Sequence, residues 1–524
     1  MTSTLVRAER PADPAEVLDT TVWSILEAAA TVAPTATALV DGEHRGLRRT
    51  YAELLADAQT VAGALAATFD PGERVAVIGP SVPESLVLSY ALAGAGLVLV
   101  PVNPAFRAGE LAHVLGQSGC AGAFTTGPWR GHDVGATVGS LAAELPALRT
   151  VVPLAELASW AASQRPAHTG GRRPAPDDVA QIVYTSGTTG APKGAELTHR
   201  GMTNAARLAA ERFGMRAGDV YVQSMPMFHV GGQVVSFQLC QQRATAVLVP
   251  SFEPGLVLEL LHEERATLTC GVPTMYLSLM EHEDFTRRDL RSLRTVSSGG
   301  AVVPVEMVRA IEDALRVQFV ICFGQTEACG FISQTHLDDP DEDKAATLGP
   351  PLPAVAARVV GDDGAVVAVG EPGELQVRAP NVMRGYHDLP EETAEAVTAE
   401  GWLRTGDVVH MDGRGVLTMR GRRKDMIVRG GENLFPAEIE AVLVAHPAVA
   451  QAAVIGVPDR HWGEVPVAVV RPAPGAVVDP AALEAFARER LASFKVPRRI
   501  DVVDELPVTA SGKVQKFVLR DRYI

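Results

Sequence analysis

The chain has 524 residues, of which 47% are apolar and 21% charged, with a formal net charge of −15. This length predicts at least two domains, and the composition is that of a soluble globular protein with a large core. The acidic excess argues against a general nucleic-acid binder, which needs a basic face, but leaves room for a local basic patch around an anionic nucleotide.

The first residues, Met1 to Pro14, hold no apolar run of the kind that directs secretion, so a cytoplasmic location is expected. Thr50-Tyr-Ala-Glu53 has the pattern of a capping box opening a helix. Arg74 to Gly79 reads as a buried strand, Pro83 to Ala95 as a helix and Leu97 to Val102 as the next strand. The apolar run Leu86 to Val102 is broken by Ser89, Gly94, Gly96 and Pro101. It falls short of the roughly 20 residues a membrane span needs, so no stable membrane insertion is expected. Thr245 to Pro250, Pro254 to Glu264 and Thr267 to Val272 repeat the strand–helix–strand pattern. Such alternation predicts α/β layers.

From about residue 355 short alternating strands appear, such as Glu374 to Arg378 and Gly415 to Met419, which suggests a small β subdomain. The charged segment Gly421 to Asp425 follows, and then an α+β stretch to the end. The main boundary is placed there, with domains at 1–421 and 426–524 and a joint at 422–425. The five cysteines, at 120, 240, 270, 322 and 329, are odd in number, widely spaced and without a CxxC pair. They predict buried thiols rather than disulfides or a zinc site.

Gln181 to Tyr184 is a candidate strand that runs into the loop Thr185-Ser-Gly-Thr-Thr-Gly-Ala-Pro-Lys-Gly194, and helix signals start at Thr198. Backbone N–H groups and the hydroxyls of Thr185, Ser186, Thr188 and Thr189 suit anionic oxygens. Gly187 and Gly190 allow close approach, and Lys193 supplies a point charge. The spacing is not that of a Walker A loop.

This loop resembles the signature of the adenylate-forming superfamily, which includes acyl- and aryl-CoA synthetases, adenylation domains of peptide synthetases and luciferases. Further motifs of that superfamily follow in order along almost the whole chain. Phe323-Gly324-Gln325-Thr326-Glu327 resembles the segment whose threonine reaches the α-phosphate and whose glutamate helps hold Mg2+. Ser298-Gly299-Gly300-Ala301 matches backbone that relatives set against adenine and the acyl pocket, although a plain strand-to-helix turn reads equally well. Trp402 to Asp407 resembles the ribose segment, with Asp407 on the hydroxyls and Arg422 beside them. In Gly421 to Glu440, Lys424 falls at the hinge, and Gly430 and Gly431 at the tunnel for the pantetheine arm of CoA. Pro507 to Lys516 resembles the C-terminal motif and puts the catalytic lysine at Lys513. Glu196 departs from the pattern, since relatives mostly carry an apolar residue there.

The resemblance implies a large N-terminal domain of layered α/β subdomains plus a β subdomain, and a small mobile α+β C-terminal domain. It implies an acid–thiol ligase using ATP, Mg2+ and CoA, with Lys193, Thr326, Glu327 and Lys513 in the chemistry. Two anions must meet, a carboxylate and the α-phosphate, and positive charge with positioning is the remedy. His229, in Phe228 to Gly232, matches a residue flanking the acyl pocket, or serves as a turn histidine. Gly324 stands where acetate-activating relatives carry tryptophan, and Gly300, Cys329 and Gly330 are small too. On that basis a medium- or long-chain fatty acid is favoured, an aromatic acid is next, and a dicarboxylate is less favoured. A carrier protein in place of CoA, another oxyacid, a non-catalytic nucleotide binder and a homodimer remain compatible with the sequence.

Overall fold

The computed structural model describes residues 6–13, 15–44, 46–164, 173–185, 192–299, 303, 305–429, 432–508 and 514–523. Thr50 and Glu53 form the expected capping box: Thr50 N donates to Glu53 Oε2 at 2.8 Å and Glu53 N to Thr50 Oγ1 at 3.2 Å. This fixes the start of the helix Tyr51–Thr68. The apolar run after Ser81 becomes the helix Pro83–Gly94 and the fully buried strand Val98–Val102.

Two large sheets form the main body. One has the strand order Thr150–Pro153, Gly122–Thr125, Arg74–Ile78, Val98–Val102, Val179–Thr185, Lys193–Thr198, Gly385–Tyr386. It is parallel up to Val179–Thr185 and antiparallel beyond. The other has the order Ser333–Gln334, Gln318–Phe323, Thr295–Gly299, Leu268–Cys270, Val220–Gln223, Thr245–Leu248, Thr37–Asp41, Arg48–Thr50. Its interior is parallel and its two edges are antiparallel. Parallel strands need crossover connections, and the helices of those crossovers cover the sheet faces.

The helices Tyr51–Thr68, Pro83–Gly94, His199–Arg212 and Val230–Gln242 share one apolar core with the inner faces of the sheets. Two polar side chains inside it find backbone partners. Tyr51 donates its hydroxyl to the Ala244 carbonyl at 2.7 Å, and Gln233 Nε2 donates to the Met227 carbonyl at 2.6 Å. The five cysteines are unpaired thiols, and burial pushes Cys120, Cys240 and Cys322 up to about 12. Among the described residues no helix is long and apolar enough to cross a membrane.

The expected β subdomain is an antiparallel sheet with the order Glu9–Arg10, Ala356–Val360, Gly373–Arg378, Leu403–Met411, Leu417–Arg422. Its first strand comes from the start of the chain, where no strand pattern is evident in the sequence. After the single turn Arg423–Asp425 the chain enters a further sheet built from Ile427–Arg429, Glu432–Leu434, Val449–Asp459, Gly463–Pro472 and Arg499–Val502. That sheet packs on the helices Pro436–Val444 and Pro480–Arg488 around an apolar cluster of its own, centred on Ile439, Leu443, Val470 and Leu483.

Candidate active site

The strands on either side of the loop expected to cradle phosphates pair with each other. The strands Val179–Thr185 and Lys193–Thr198 are antiparallel, with Tyr184 opposite Gly194 and Thr185 opposite Lys193. Lys193 and Gly194, which the sequence places in the loop, already belong to the return strand. Thr185 and Lys193 therefore end the two paired strands on the side of the loop. Ser186, Gly187, Thr188, Thr189 and Gly190 lie outside the described residues. The hairpin base is held by polar contacts: Tyr184 donates its hydroxyl to Gln117, and Gln117 Nε2 donates to the His387 carbonyl at 2.6 Å. The expected helix then starts at His199, with Thr198 as its cap.

The second motif lies beyond the strand Gln318–Phe323. Phe323 is buried, and Thr326–Ala328 form one tight turn, which presents Thr326 and Glu327. Two left-handed residues follow, Cys329 at φ 49° and Gly330 at φ 81°. Asn381, 3% exposed, holds the turn by donating Nδ2 to the carbonyls of Ala328 and Phe331, each at 2.8 Å. Two buried donors here have no partner among the described residues: Gln325 Nε2 and the hydroxyl of Ser298. Buried polar groups are rarely left unmade, so these two suit a polar ligand bound at the ends of the two strands.

The hairpin and the turn meet at a residue not singled out from the sequence. Tyr386 donates its hydroxyl to Glu327 Oε1 at 2.8 Å, and Lys193 Nζ lies 5.2 Å from the centroid of its ring. Burial first, and then the Glu327 charge, push the Tyr386 hydroxyl well above its ordinary value. It therefore stays protonated and acts as a donor.

Asp407 and Arg422 stand opposite each other on the neighbouring strands Leu403–Met411 and Leu417–Arg422, with Arg422 Nε 3.1 Å from Asp407 Oδ1. Asp407 is only 1% exposed. Lys424 follows in the turn. Although the side chain is exposed, partial loss of water around its ammonium lowers it below the ordinary lysine value, and Arg422 adds to this; the charges of Asp425, Asp407 and Glu327 act on it in the opposite sense. The hinge candidate thus stands within electrostatic reach of two carboxylates from two separate motifs.

Two pocket assignments look different in three dimensions. His229 caps the helix Val230–Gln242, its Nδ1 accepting from Gly231 N at 3.1 Å, so its side chain has a structural task. At Gly324, an added Cβ would stand 2.5 Å from the Gly330 carbonyl carbon and 2.6 Å from Phe331 N. Glycine there is required by the close approach of backbone, so the position itself does not argue for extra pocket room. Gly299 is similar, because a Cβ there would meet the Cys322 carbonyl oxygen at 2.5 Å. Gly330 faces Val230, 3.5 Å from where its Cβ would be. Gly300, Ala301, Gly430, Gly431 and Lys513 lie outside the described residues.

Glu196, the departure noted in the sequence, has a partner. Its Oε1 lies 2.7 Å from His387 Nδ1, with the two side chains 20% and 13% exposed. Neither Tyr386, His387 nor Asn381 carried a sequence signal beyond a short Gly-Tyr pair and an isolated asparagine.

The family model described as AMP-binding enzyme matches residues 26–387, and that of the AMP-binding enzyme C-terminal domain matches residues 438–513. The chain belongs to the AMP-binding enzyme family. Within it, the chain is a member of the acyl-CoA synthetase group and an AMP-forming ligase. This AMP-binding enzyme is 40% identical to a feruloyl-CoA synthase of Amycolatopsis sp over 502 residues, covering 94% of this chain and 97% of the relative. It is 33% identical to a mitochondrial medium-chain acyl-CoA ligase of Mus musculus over 546 residues, covering 97% and 88%. Among solved structures, ATP-bound MatB from Rhodopseudomonas palustris superposes with a TM-score of 0.88 at 31% identity, covering 97% of this chain and 99% of that one.

Proposed function

We propose that this enzyme joins a hydrophobic carboxylic acid to ATP as an acyl-adenylate and then transfers the acyl group to the thiol of CoA. The observation that carries this reading is the convergence of Lys193 and Glu327 at Tyr386, whose hydroxyl donates to Glu327 at 2.8 Å and whose ring centroid lies 5.2 Å from Lys193 Nζ, together with the buried Asp407 paired with Arg422 on the neighbouring strand.

In this reading the loop residues Ser186 to Gly190 and Lys193 hold the β- and γ-phosphates, and Thr326 meets the α-phosphate. Asp407 accepts from both ribose hydroxyls, with Arg422 beside it. The buried carboxylate suits that task, since charge-assisted bonds strengthen away from water. Gly299 to Ala301 and Phe323 to Gln325 border the adenine. The donor set also fits magnesium. Glu327 has one oxygen taken by Tyr386 and a second still to offer, and magnesium typically uses one or two carboxylates together with phosphates and water. When bound, the ion supplies charge neutralisation for the phosphates. Lys513 bridges the acid and the α-phosphate. A carboxylate oxygen attacks phosphorus, the bond to pyrophosphate breaks, and acyl-AMP remains.

The domains in this reading are 1–421 and 426–524, joined at 422–425. Rotation about Lys424 withdraws Lys513 and brings Gly430 and Gly431 to the site. Thiol sulfur then attacks the acyl carbon, its proton leaves to solvent, and the bond to AMP breaks.

For the acid, a medium- or long-chain fatty acid is the first reading, supported by the medium-chain ligase relatives. An aryl-substituted acid is the second, favoured by the higher identity to feruloyl-CoA synthases. The test is AMP release over a panel of fatty and aryl acids, each with and without CoA. Release that needs both one acid class and CoA supports the proposal. Pyrophosphate release indifferent to CoA sinks the CoA assignment in favour of a carrier protein.

A further inference from the structure

We infer that Tyr386 is a positioning residue for adenylation, one that keeps Lys193 and Glu327 apart and aims both at the nucleotide. The inference rests on the roles proposed above for those two residues.

Tyr386 is well placed for this. Its strand, Gly385–Tyr386, pairs with the lysine strand, with Ala195 opposite Tyr386 and Glu196 opposite Gly385. Flanking backbone bonds stitch it to both partners. Arg384 N donates to the Glu196 carbonyl at 2.9 Å, His387 N to the Gly194 carbonyl at 2.8 Å, and Met383 N to the Glu327 carbonyl at 2.8 Å. Tyr386 N donates to Thr393 Oγ1 at 2.8 Å. The segment thus spans the hairpin and the glutamate turn, and its backbone has little freedom.

The side chain divides the work between its two chemical faces. The hydroxyl occupies one oxygen of Glu327 and so orients the other. The ring face gives the Lys193 ammonium a weak cation–π partner. Without the ring, a lysine and a glutamate serving one substrate are free to close on each other as an ion pair. Such a pair must break before phosphate can reach the lysine and a cation can reach the glutamate. Among the described residues no carboxylate lies within ion-pair distance of Lys193, as this division requires.

The two halves are separable by substitution. Tyr386→Phe removes the hydroxyl and keeps the ring; Tyr386→Leu removes both. The measurement is acid-dependent ATP–pyrophosphate exchange, titrated separately with Mg2+ and ATP, alongside thermal unfolding. Tyr386→Phe is expected to raise the Mg2+ requirement roughly tenfold, the scale of one lost charge-assisted bond, while leaving the KM for ATP at fixed saturating Mg2+ nearly unchanged. Tyr386→Leu is expected to raise the KM for ATP as well, by roughly threefold or more. Glu327→Gln and Lys193→Ala serve as references. If Glu327→Gln shifts the Mg2+ requirement and Tyr386→Phe does not, the positioning role is overturned while the site reading stands. If Glu327→Gln shifts nothing, the site reading itself falls and this inference with it. Equal loss of unfolding temperature in both tyrosine variants, with unaltered Mg2+ and ATP constants, reduces Tyr386 to packing and also overturns the inference.

Discussion

Adding one methyl group at Gly324 separates two explanations of that glycine. The Cβ of Gly324→Ala would stand 2.5 Å from the Gly330 carbonyl carbon and 2.6 Å from Phe331 N, and also against the Gly330 oxygen. Carbon contacts settle at about 3.5–4.0 Å, so the two backbone segments must part by roughly 1 Å. The obstructing atoms are backbone, with no rotamer to turn aside. Overpacking of this kind costs about 1–3 kcal/mol. The segment that must move ends the turn carrying Thr326 and Glu327. A displacement of roughly 1 Å in a reacting constellation can cost about 100-fold in rate. The variant is therefore expected to unfold at lower temperature and to lose activity with every acid by a similar factor. Thermal unfolding, with ATP–pyrophosphate exchange over a series of acid chain lengths, measures both. A variant that unfolds like the parent and shifts its preference toward shorter acids refutes this reasoning and restores Gly324 as a pocket-lining position.

Three other outcomes are expected. Asp407→Asn keeps the shape but removes the charge from a buried acceptor facing Arg422, so the KM for ATP is expected to rise by roughly 10-fold to 100-fold, with little change in the KM for the acid; steady-state kinetics check this. His199, 1% exposed, is pushed down by burial from an ordinary 6.5 to about 4, so the unfolded chain takes up the proton first as pH falls. Its contribution is present above pH 6.5 and is lost, by roughly 3 kcal/mol in total, between 6.5 and 4, a slope that denaturant titrations should find flattened in His199→Gln. Glu196→Leu alone takes the partner of His387 Nδ1 and leaves only the longer contact of Nε2 with Asp388, and is expected to cost about 1–2 kcal/mol, whereas the double variant with His387→Leu recovers most of it; a double-mutant cycle of unfolding free energies reads the coupling, and strict additivity would count against the pair.

The parts legible in the sequence are those whose chemistry is concentrated in short runs. Thr185 to Gly194, Phe323 to Glu327 and Trp402 to Asp407 each hold several functional groups in consecutive positions. The buried strands around Arg74 and Val98 were legible too, because strands covered on both faces read as continuous apolar runs. The return strand Lys193–Thr198 was not, since it is short, mixed in polarity and followed directly by a helix cap. Tyr386 and Asn381 act on a turn more than 50 residues earlier in the chain, and no local pattern announces such a contact. The same holds for Glu9–Arg10, which pairs with Ala356–Val360. Gly324 shows a subtler limit. Glycine at a site reads equally as empty space or as close backbone approach, and only the positions of Gly330 and Phe331 decide between them. His229 was readable as either a pocket residue or a turn histidine, and the cap on Gly231 N accounts for its Nδ1.

The central claim, that the acid is activated by attack of its own oxygen on the α-phosphate, is tested most directly by labelling the acid carboxylate with heavy oxygen. After turnover with ATP and CoA, the account predicts one labelled oxygen in the phosphate group of AMP, since the bridging oxygen of the adenylate leaves with AMP when sulfur attacks the acyl carbon. Unlabelled AMP, or the label appearing in inorganic phosphate together with ADP, would contradict it.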